Sequence, residues 1–433
     1  MNIKEEIIEI LKREVKPAVG CTEPVAVALN TAHAVDLLPA DSKEISKITV
    51  EVNKGIYKNG MDVGIPNTDK IGLDVAASLG AATSPKHGLE ILGNITAEEL
   101  KKSEEASKSC EVEVKVAKDT NKSVYLKTTV ENSKHTAIAI TEDKHDNLVY
   151  LSLDGKEVLN KRSKTQEQAS SNNSDNSFYT LPLDTIVKEI EDIDYEDIKF
   201  LLDGIEMNMK VAKVGGEGKY GLGTGYSYHK NIEKGIISKD FANIAYMLTA
   251  AASDVRMSGQ VMPVMSSSGS GNNGLTAILP LAAYKEVMDV TDEKLAKALA
   301  ISHIITSYVK KYIGRLSNLC GCSLAASIGS GSAIAWLLAG REYIAPTINN
   351  VIANQAGVIC DGAKPGCALK LGTAAATAVQ SALLAIEGTE LKEYNGIASK
   401  SPEESIRNIG KLSSVGMKPV DDTVIEIMLN RGM

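Results

Sequence analysis

The 433-residue sequence predicts an α+β fold, a mainly helical body interrupted by an inserted α/β unit whose sheet is mostly antiparallel. Three observations carry this expectation. Apolar residues recur at helical spacing near the N-terminus and through the second half of the chain, whereas a stretch between them alternates apolar and polar residues with period two. Aromatics make up only 4% of the chain, so the core must be built mainly from Ala, Val, Ile and Leu, which suits closely packed helices with small contact residues.

From residue 4 to 16, Ile, Leu and Val alternate with Lys and Glu at helical spacing, and the run stops at Pro17 before the turn Gly20-Cys21-Thr22-Glu23-Pro24. An Ala-rich run from Val25 to Leu38 resumes the helix. Between about residues 46 and 155 the pattern becomes strand-like, in Ile48–Val52, Cys110–Val116, Ser123–Lys127 and Leu148–Leu151, which predicts a sheet with one face covered. Residues 160–177 are polar and dense in Ser and Asn, the composition of an exposed, weakly ordered loop. Helical patterns return beyond residue 180 and run to about 390, and the tail from Asp422 to Met428 reads as a strand or a short helix. The expected division is 1–43 for N-terminal helices of the helical body, 44–205 for the insert and 206–433 for the rest of the body.

Lys plus Arg total 47 against 55 Asp plus Glu, and the net charge of −8 disfavours nucleic acid and anionic membranes as partners. A small molecule is the better default. The apolar stretches Ser323–Ala339 and Leu371–Ile386 are short and rich in Ala, Gly, Ser and Thr, so core helices explain them better than membrane spans. Met1 is followed by a charged amphipathic run with no apolar signal region, and a cytoplasmic location is expected. Oligomeric state, a homo-oligomer included, is left open.

In a reducing compartment six cysteines do not read as a disulfide framework. Four of them fall close together, Cys320-Gly321-Cys322, then Cys360 and Cys367, each pair beside Gly or Pro at the edge of an apolar segment. Free backbone N–H groups there can support sulfur, and clustered soft thiolates suit zinc or an iron–sulfur cluster. The spacing, C-x-C and then C-x6-C, lacks the compact pairs usual for zinc. Three thiolates on a four-iron cluster would leave one iron open as a Lewis acid. Cys110, inside a strand pattern, reads as a small buried hydrophobe. Cys21 sits in a tight turn before a helix, where a thiol pKa is expected to be lowered.

Ser266-Ser267-Ser268-Gly269-Ser270-Gly271-Asn272-Asn273-Gly274 contains a formal G-x-G-x-x-G, but the preceding segment is broken by Pro263 and no βαβ unit surrounds it, so a dinucleotide fingerprint is rejected. Its hydroxyls and backbone N–H groups suit a substrate carboxylate instead. Gly215-Gly216-Glu217-Gly218-Lys219 lacks the ending of a P-loop. Arg256 could form a bidentate fork to a carboxylate or an ordinary ion pair with its surroundings. Lys310 and Lys311 are ambiguous between a site and a solvated face. Of the six histidines, His135 has the most purposeful context, just before a strand-like Ala137–Ile140.

Taken together, Gly20-Cys21-Thr22-Glu23-Pro24, Tyr57-Lys58-Asn59-Gly60-Met61, Gly64-Ile65-Pro66, Pro263–Gly274, Leu319-Cys320-Gly321-Cys322 and Cys360-Asp361-Gly362-Ala363-Lys364 with Gly366-Cys367 resemble the L-cysteine desulfidase family, relatives of the α-chain of iron–sulfur L-serine dehydratases. The resemblance spans nearly the whole chain. It implies a [4Fe–4S] cluster on Cys320, Cys360 and Cys367, with Cys322 spare, and conversion of L-cysteine to pyruvate, ammonia and sulfide without pyridoxal phosphate. Cys21 matches the family cysteine assigned as base or displaceable fourth ligand. Binding of the substrate carboxylate would fall to Ser268, Ser270, Asn272 and Asn273, with Asn59 and His135 as further candidates. Asn67 departs from the glycine expected after Gly64-Ile65-Pro66 and puts that loop's shape in question. The alternatives are L-serine dehydration on the same cluster, a non-catalytic iron–sulfur sensor and a zinc-stabilised protein.

Overall fold

A computed structural model describes residues 2–40, 44–106, 108–118, 120–162, 177–314, 317–391 and 395–431. Most of the Ser- and Asn-rich stretch 160–177 therefore lies outside the described residues. In chain order the elements are α1 (Ile3–Glu14), β1 (Pro17–Val19), α2 (Thr22–Asp36), β2 (Lys47–Val52), α3 (Lys54–Gly60), α4 (Leu73–Ala82), α5 (Ala97–Ala106), β3 (Glu111–Val116), β4 (Tyr125–Glu131), β5 (Thr136–Glu142), β6 (Leu148–Leu153), β7 (Lys156–Asn160), α6 (Leu183–Glu191), α7 (Tyr195–Ile198), α8 (Asp203–Glu217), α9 (Thr224–Glu233) and α10 (Phe241–Met257). Then follow β8 (Pro263–Met265), α11 (Gly271–Val287), α12 (Asp292–Ile313), α13 (Gly321–Leu338), α14 (Ile344–Gln355), α15 (Cys367–Ile386), α16 (Pro402–Lys411) and α17 (Val420–Leu429). The α+β fold is as expected, and the tail is a helix.

The larger sheet runs β3-β2-β4-β5-β6-β7. Lys47 to Val52 pair in parallel with Glu111 to Val116, and every other neighbour in this sheet is antiparallel. One face is covered by α2, whose residues from Pro24 to Ala32 are buried throughout. An asparagine in that apolar helix is explained by the sheet beneath it. Asn30 Nδ2 donates to Thr128 Oγ1 at 2.9 Å and to the Ala139 carbonyl at 3.1 Å, and its Oδ1 accepts from Thr141 Oγ1 at 2.9 Å. Paired in this way, a buried amide contributes rather than penalises, about 1 kcal/mol per bond. Helix α4 lies against α2 so closely that a Cβ on Gly80 would stand 2.2 Å from the Ala28 carbonyl oxygen.

The helical body is built around α10, α11, α12, α13 and α15. Small residues let the backbones approach, and a Cβ on Gly329 would meet the Ser302 carbonyl oxygen at 2.3 Å. By length and composition alone α13 and α15 could cross a membrane, but 78% and 56% of their apolar windows are buried inside the fold, as core helices require. Two buried clusters result, and their limits differ from the division expected at 43/44 and 205/206. Helix α2 belongs with the sheet, as do Val424, Ile425 and Met428 of α17, whereas α1, Cys21 and residues 178–201 pack into the helical body. Apolar runs reveal that a helix is buried without revealing against what.

One small feature ties the two ends of the body. β1 and β8 form a two-stranded antiparallel sheet, Pro17 opposite Met265 and Val19 opposite Pro263. Proline at the edges of such a pair is tolerated because the missing N–H faces outward. The Ser266 N–H and hydroxyl then both donate to the Lys16 carbonyl, at 2.8 and 2.6 Å, so the turn holding Cys21 and the Ser-rich segment leave the pair side by side. Asn67 has φ 61° in the left-handed region, which explains why glycine was expected there. Its amide donates to the Leu92 carbonyl at 2.9 Å, so asparagine keeps the turn.

Candidate functional site

Two long core helices begin at cysteines. Cys320 is the N-cap of α13, and Cys367 is the first residue of α15. The segment between them returns to the same place, because Leu319 and Ile359 form an antiparallel bridge. Cys320 N–H donates to the Val358 carbonyl and Cys360 N–H to the Asn318 carbonyl, both at 2.8 Å. Cys322, in the first turn of α13, completes a group of four thiols. Gly362 makes the approach possible: it has φ 96°, and a Cβ there would stand 2.0 Å from the Lys58 carbonyl oxygen.

The four thiols act on one another. Cys320 is pushed well up, first by its hydrogen bond to Cys322 and then by burial, and Cys322 is lowered by that same bond. Burial pushes Cys367 up to about 12, with Cys320 and Cys360 adding to the rise. Burial also raises Cys360, opposed by the charge of Lys58. Lysines surround the group, Lys370 acting on Cys320, Cys360 and Cys367, and Lys310 on Cys322. Among the described residues, no three His, Cys, Asp or Glu side chains converge tightly enough to hold a single metal ion. A multi-iron cluster is bound at its corners, so its ligands need not meet at one point. Soft sulfur donors ringed by positive charge at two helix N-termini fit such a cluster.

The other half of the site is organised by Arg256, near the end of α10 and 8% exposed. Its Nη2 donates to the Gly20 carbonyl at 2.8 Å and its Nη1 to Asn272 Oδ1 at 2.9 Å. Arg256 thereby joins the Cys21 turn to the start of α11. The guanidinium lies against Gly271, where a Cβ would come 2.4 Å from Arg256 Nε. Cys21 is the N-cap of α2, but its thiol is raised, contrary to the expectation from that position. Burial outweighs the lowering by Arg256, and Glu23 adds to the rise. At the α11 start, Asn273 is 1% exposed with neither side-chain polar atom hydrogen-bonded, and Arg256 Nε is also without a partner. Ser270 Oγ lies 3.8 Å from Cys322 Sγ, which connects this loop to the thiols.

Cys320, Cys322, Cys360, Cys367 and Ser270 thus form one neighbourhood, which Asn272 and Arg256 extend to Cys21. Ser268, at φ 49°, turns its hydroxyl to Ser307 Oγ at 2.7 Å. Asn59 Nδ2 reaches the Cys21 turn by donating to Glu23 Oε1 at 3.2 Å. His135 lies elsewhere, in the turn between β4 and β5, with Nδ1 2.7 Å from Asp154 Oδ2. Cys110 stands just before β3 and contacts the Glu111 carbonyl at 3.7 Å. Sequence reasoning passed over His303, buried in α12 with Nδ1 2.9 Å from Ser267 Oγ and Nε2 without a partner. Burial lowers its pKa to about 3, which keeps the ring neutral. A single histidine among Ser302, Thr306 and Ser307 in an apolar helix was the available signal.

Fold and site together define an α+β protein with a cluster of four buried or half-buried thiols beside a polar loop at a helix N-terminus. Comparison with known proteins gives the family. The family described as serine dehydratase alpha chain matches residues 86–426, and the chain belongs to it. Full-length relatives include a UPF0597 protein of Clostridioides difficile (strain 630), 45% identical over 97% of this chain and 98% of its own. A UPF0597 protein of Alkaliphilus oremlandii (strain OhILAs) is 46% identical over 99% of both chains. Another, of Alkaliphilus metalliredigens (strain QYMF), is 45% identical over 99% of this chain and 95% of its own.

Proposed function

We propose that the protein is an iron–sulfur-dependent lyase that removes the β-substituent of a small α-amino acid, L-cysteine being the preferred substrate. The observation that carries this reading is the continuity of the site, from four thiols through Ser270 to Asn272, Arg256 and Cys21. Cys320, Cys360 and Cys367 would hold a [4Fe–4S] cluster, with Cys322 turned toward Ser270. When bound, the cluster supplies a Lewis-acidic iron that polarises the leaving group.

The chain's own residues do the rest. The N-terminal turn of α11, with the unpartnered Asn273 amide, receives the substrate carboxylate. Cys21 takes the Cα proton. Its buried, raised thiol must be ionised to do so, and the adjoining Arg256 charge favours that form. Loss of hydrogen sulfide leaves aminoacrylate, which takes up water to give pyruvate and ammonia. Asn59 holds Glu23 and so the shape of the Cys21 turn. The family match favours a second reading, in which the leaving group is the hydroxyl of L-serine.

The test is purification without oxygen, followed by a visible spectrum, iron and sulfide analysis, and assays of pyruvate and sulfide from L-cysteine beside L-serine. A brown protein that releases sulfide from L-cysteine, and loses both colour and release as Cys360→Ala, is expected. Pyruvate from L-serine alone would replace the first reading with the second. A colourless zinc protein inert to both would end both.

A further inference from the structure

The segment Tyr57-Lys58-Asn59-Gly60-Met61 supplies Asn59 to the Cys21 turn, and its lysine lies beside the Cys360 loop. The Lys58 side chain is 2% exposed, and its Nζ donates to Asp421 Oδ1 of α17 at 2.5 Å. Its stem and carbonyl form the wall against which the cysteine loop is laid. A Cβ on Gly362, two residues beyond Cys360, would meet Lys58 O at 2.0 Å and Lys58 Cγ at 3.4 Å. Burying an ammonium is costly unless it is paired. The pairing with Asp421 meets that requirement but does not explain why the lysine is buried there.

Docking of α17 does not explain it either. Two more ion pairs fasten that helix, Lys54 to Asp422 and Arg431 to Asp62, the latter at 2.7 and 2.9 Å. Both are at the surface, and Met428, Val424 and Ile425 bury the apolar face of α17 against the sheet cluster. A third pair could have been exposed like the others. Its placement beside the Cys360 loop instead suits a group that bears negative charge when it is loaded. Thiolates on a buried cluster are such a group.

We propose that Lys58 is the fixed positive charge that balances the metal-bound Cys360 thiolate, and that Asp421 is the positioning residue on the C-terminal helix that holds it there. The inference rests on the cysteines being cluster ligands. It makes retention of the cluster and its reduction potential depend on a contact between residues 363 positions apart in the chain.

The test uses the full chain purified without oxygen, as native protein and as K58M, K58R, D421N, D421E and K54A. Iron and sulfide per chain, the rate of bleaching by an iron chelator and the midpoint potential by EPR-monitored titration are measured. Removal of a positive charge disfavours the more negative reduced form, so K58M should bleach at least tenfold faster with a more negative midpoint. D421N should move in the same direction by less. K58R and D421E should return both readouts towards native, and K54A should leave them unchanged. Native bleaching and midpoint in K58M would overturn the proposal. Should K58M fail to fold, the same result in D421N would do so. A native protein without iron would overturn the cluster reading itself and the proposal with it, so the two failures are told apart.

Discussion

Replacing Arg256 by methionine tests how the Cys21 half of the site is held together. Two charge-assisted hydrogen bonds are lost, to the Gly20 carbonyl at 2.8 Å and to Asn272 Oδ1 at 2.9 Å. Bonds to a charged group are each worth about 1.5–3 kcal/mol, and an acceptor left dry costs about as much as the bond it lost. Methionine keeps most of the apolar stem, which recovers part of the packing. The expected loss is therefore about 3–4 kcal/mol, a large share of the 5–15 kcal/mol typical of a folded protein but short of abolishing the fold. Urea unfolding of the metal-free protein, followed by the fluorescence of Trp336, the single tryptophan, measures it directly. Arg256→Lys is the companion variant, because a lysine cannot span both acceptors and should recover about half of the loss. A loss below about 1 kcal/mol in Arg256→Met, or native stability in Arg256→Lys, would refute the claim that this guanidinium joins the two segments.

Two further variants test the packing and the buried charge. Gly80→Ala should lower stability by about 1–3 kcal/mol or more, since the new methyl meets Ala28 backbone that no rotamer change can move; an unchanged thermal midpoint by circular dichroism would contradict the close approach of α2 and α4. Asp254 is raised to about 6 from an ordinary 3.8, chiefly by burial, against the lowering by backbone N–H groups of Gly225, Thr224, Leu222 and Gly223. The folded protein thus holds this proton more tightly than the unfolded chain, a contribution complete below about pH 3.8 and lost as pH rises through about 6. Native stability relative to Asp254→Asn should fall between pH 4 and 6 and level off above, in urea titrations at each pH. A difference independent of pH would place the Asp254 proton wrongly.

What could be read from the residues was what local chemistry controls. Strands β2, β3, β4 and β6 show period-two alternation because one face is buried and the other is not. β7 was missed, since four of its five residues are exposed and no alternation is imposed on them. β8 was missed because Pro263 argues against a strand, although proline is harmless at the first residue of a short edge pair. The four thiols could be picked out because four cysteines clustered in a short stretch, each pair near Gly or Pro, are chemically unusual. Cys21 at a helix N-cap suggested a lowered thiol, and only the three-dimensional burial reverses the sign. Lys58 and Lys310 look like any surface lysine along the chain. Burial of Lys58 depends on Gly362, far away in sequence, and that of Lys310 on Gly321 at the start of the next helix, and no periodic pattern records either pairing.

The position of Cys21 follows from the two clusters jointly. The residue itself is buried in the helical body, held through β1 and the Arg256 bond to Gly20, but α2, which it caps, is buried against the sheet from Val25 onward. The turn between them is short, and Gly20 at φ 66° occupies the left-handed region that other residues avoid. The Asn59–Glu23 contact braces this turn, and a separate link between the clusters runs from the Gly64 N–H to the Met257 carbonyl at 3.0 Å. Lys58 forms another connection between the clusters, lying on a helix of the sheet cluster but against the Cys360 loop of the helical body. Both sides of the candidate site, the Cys21 turn and the Cys360 loop, thus meet residues anchored in the sheet cluster. The sheet cluster consequently forms part of the frame that places the Cys21 turn beside the thiols, and its removal would take that frame with it.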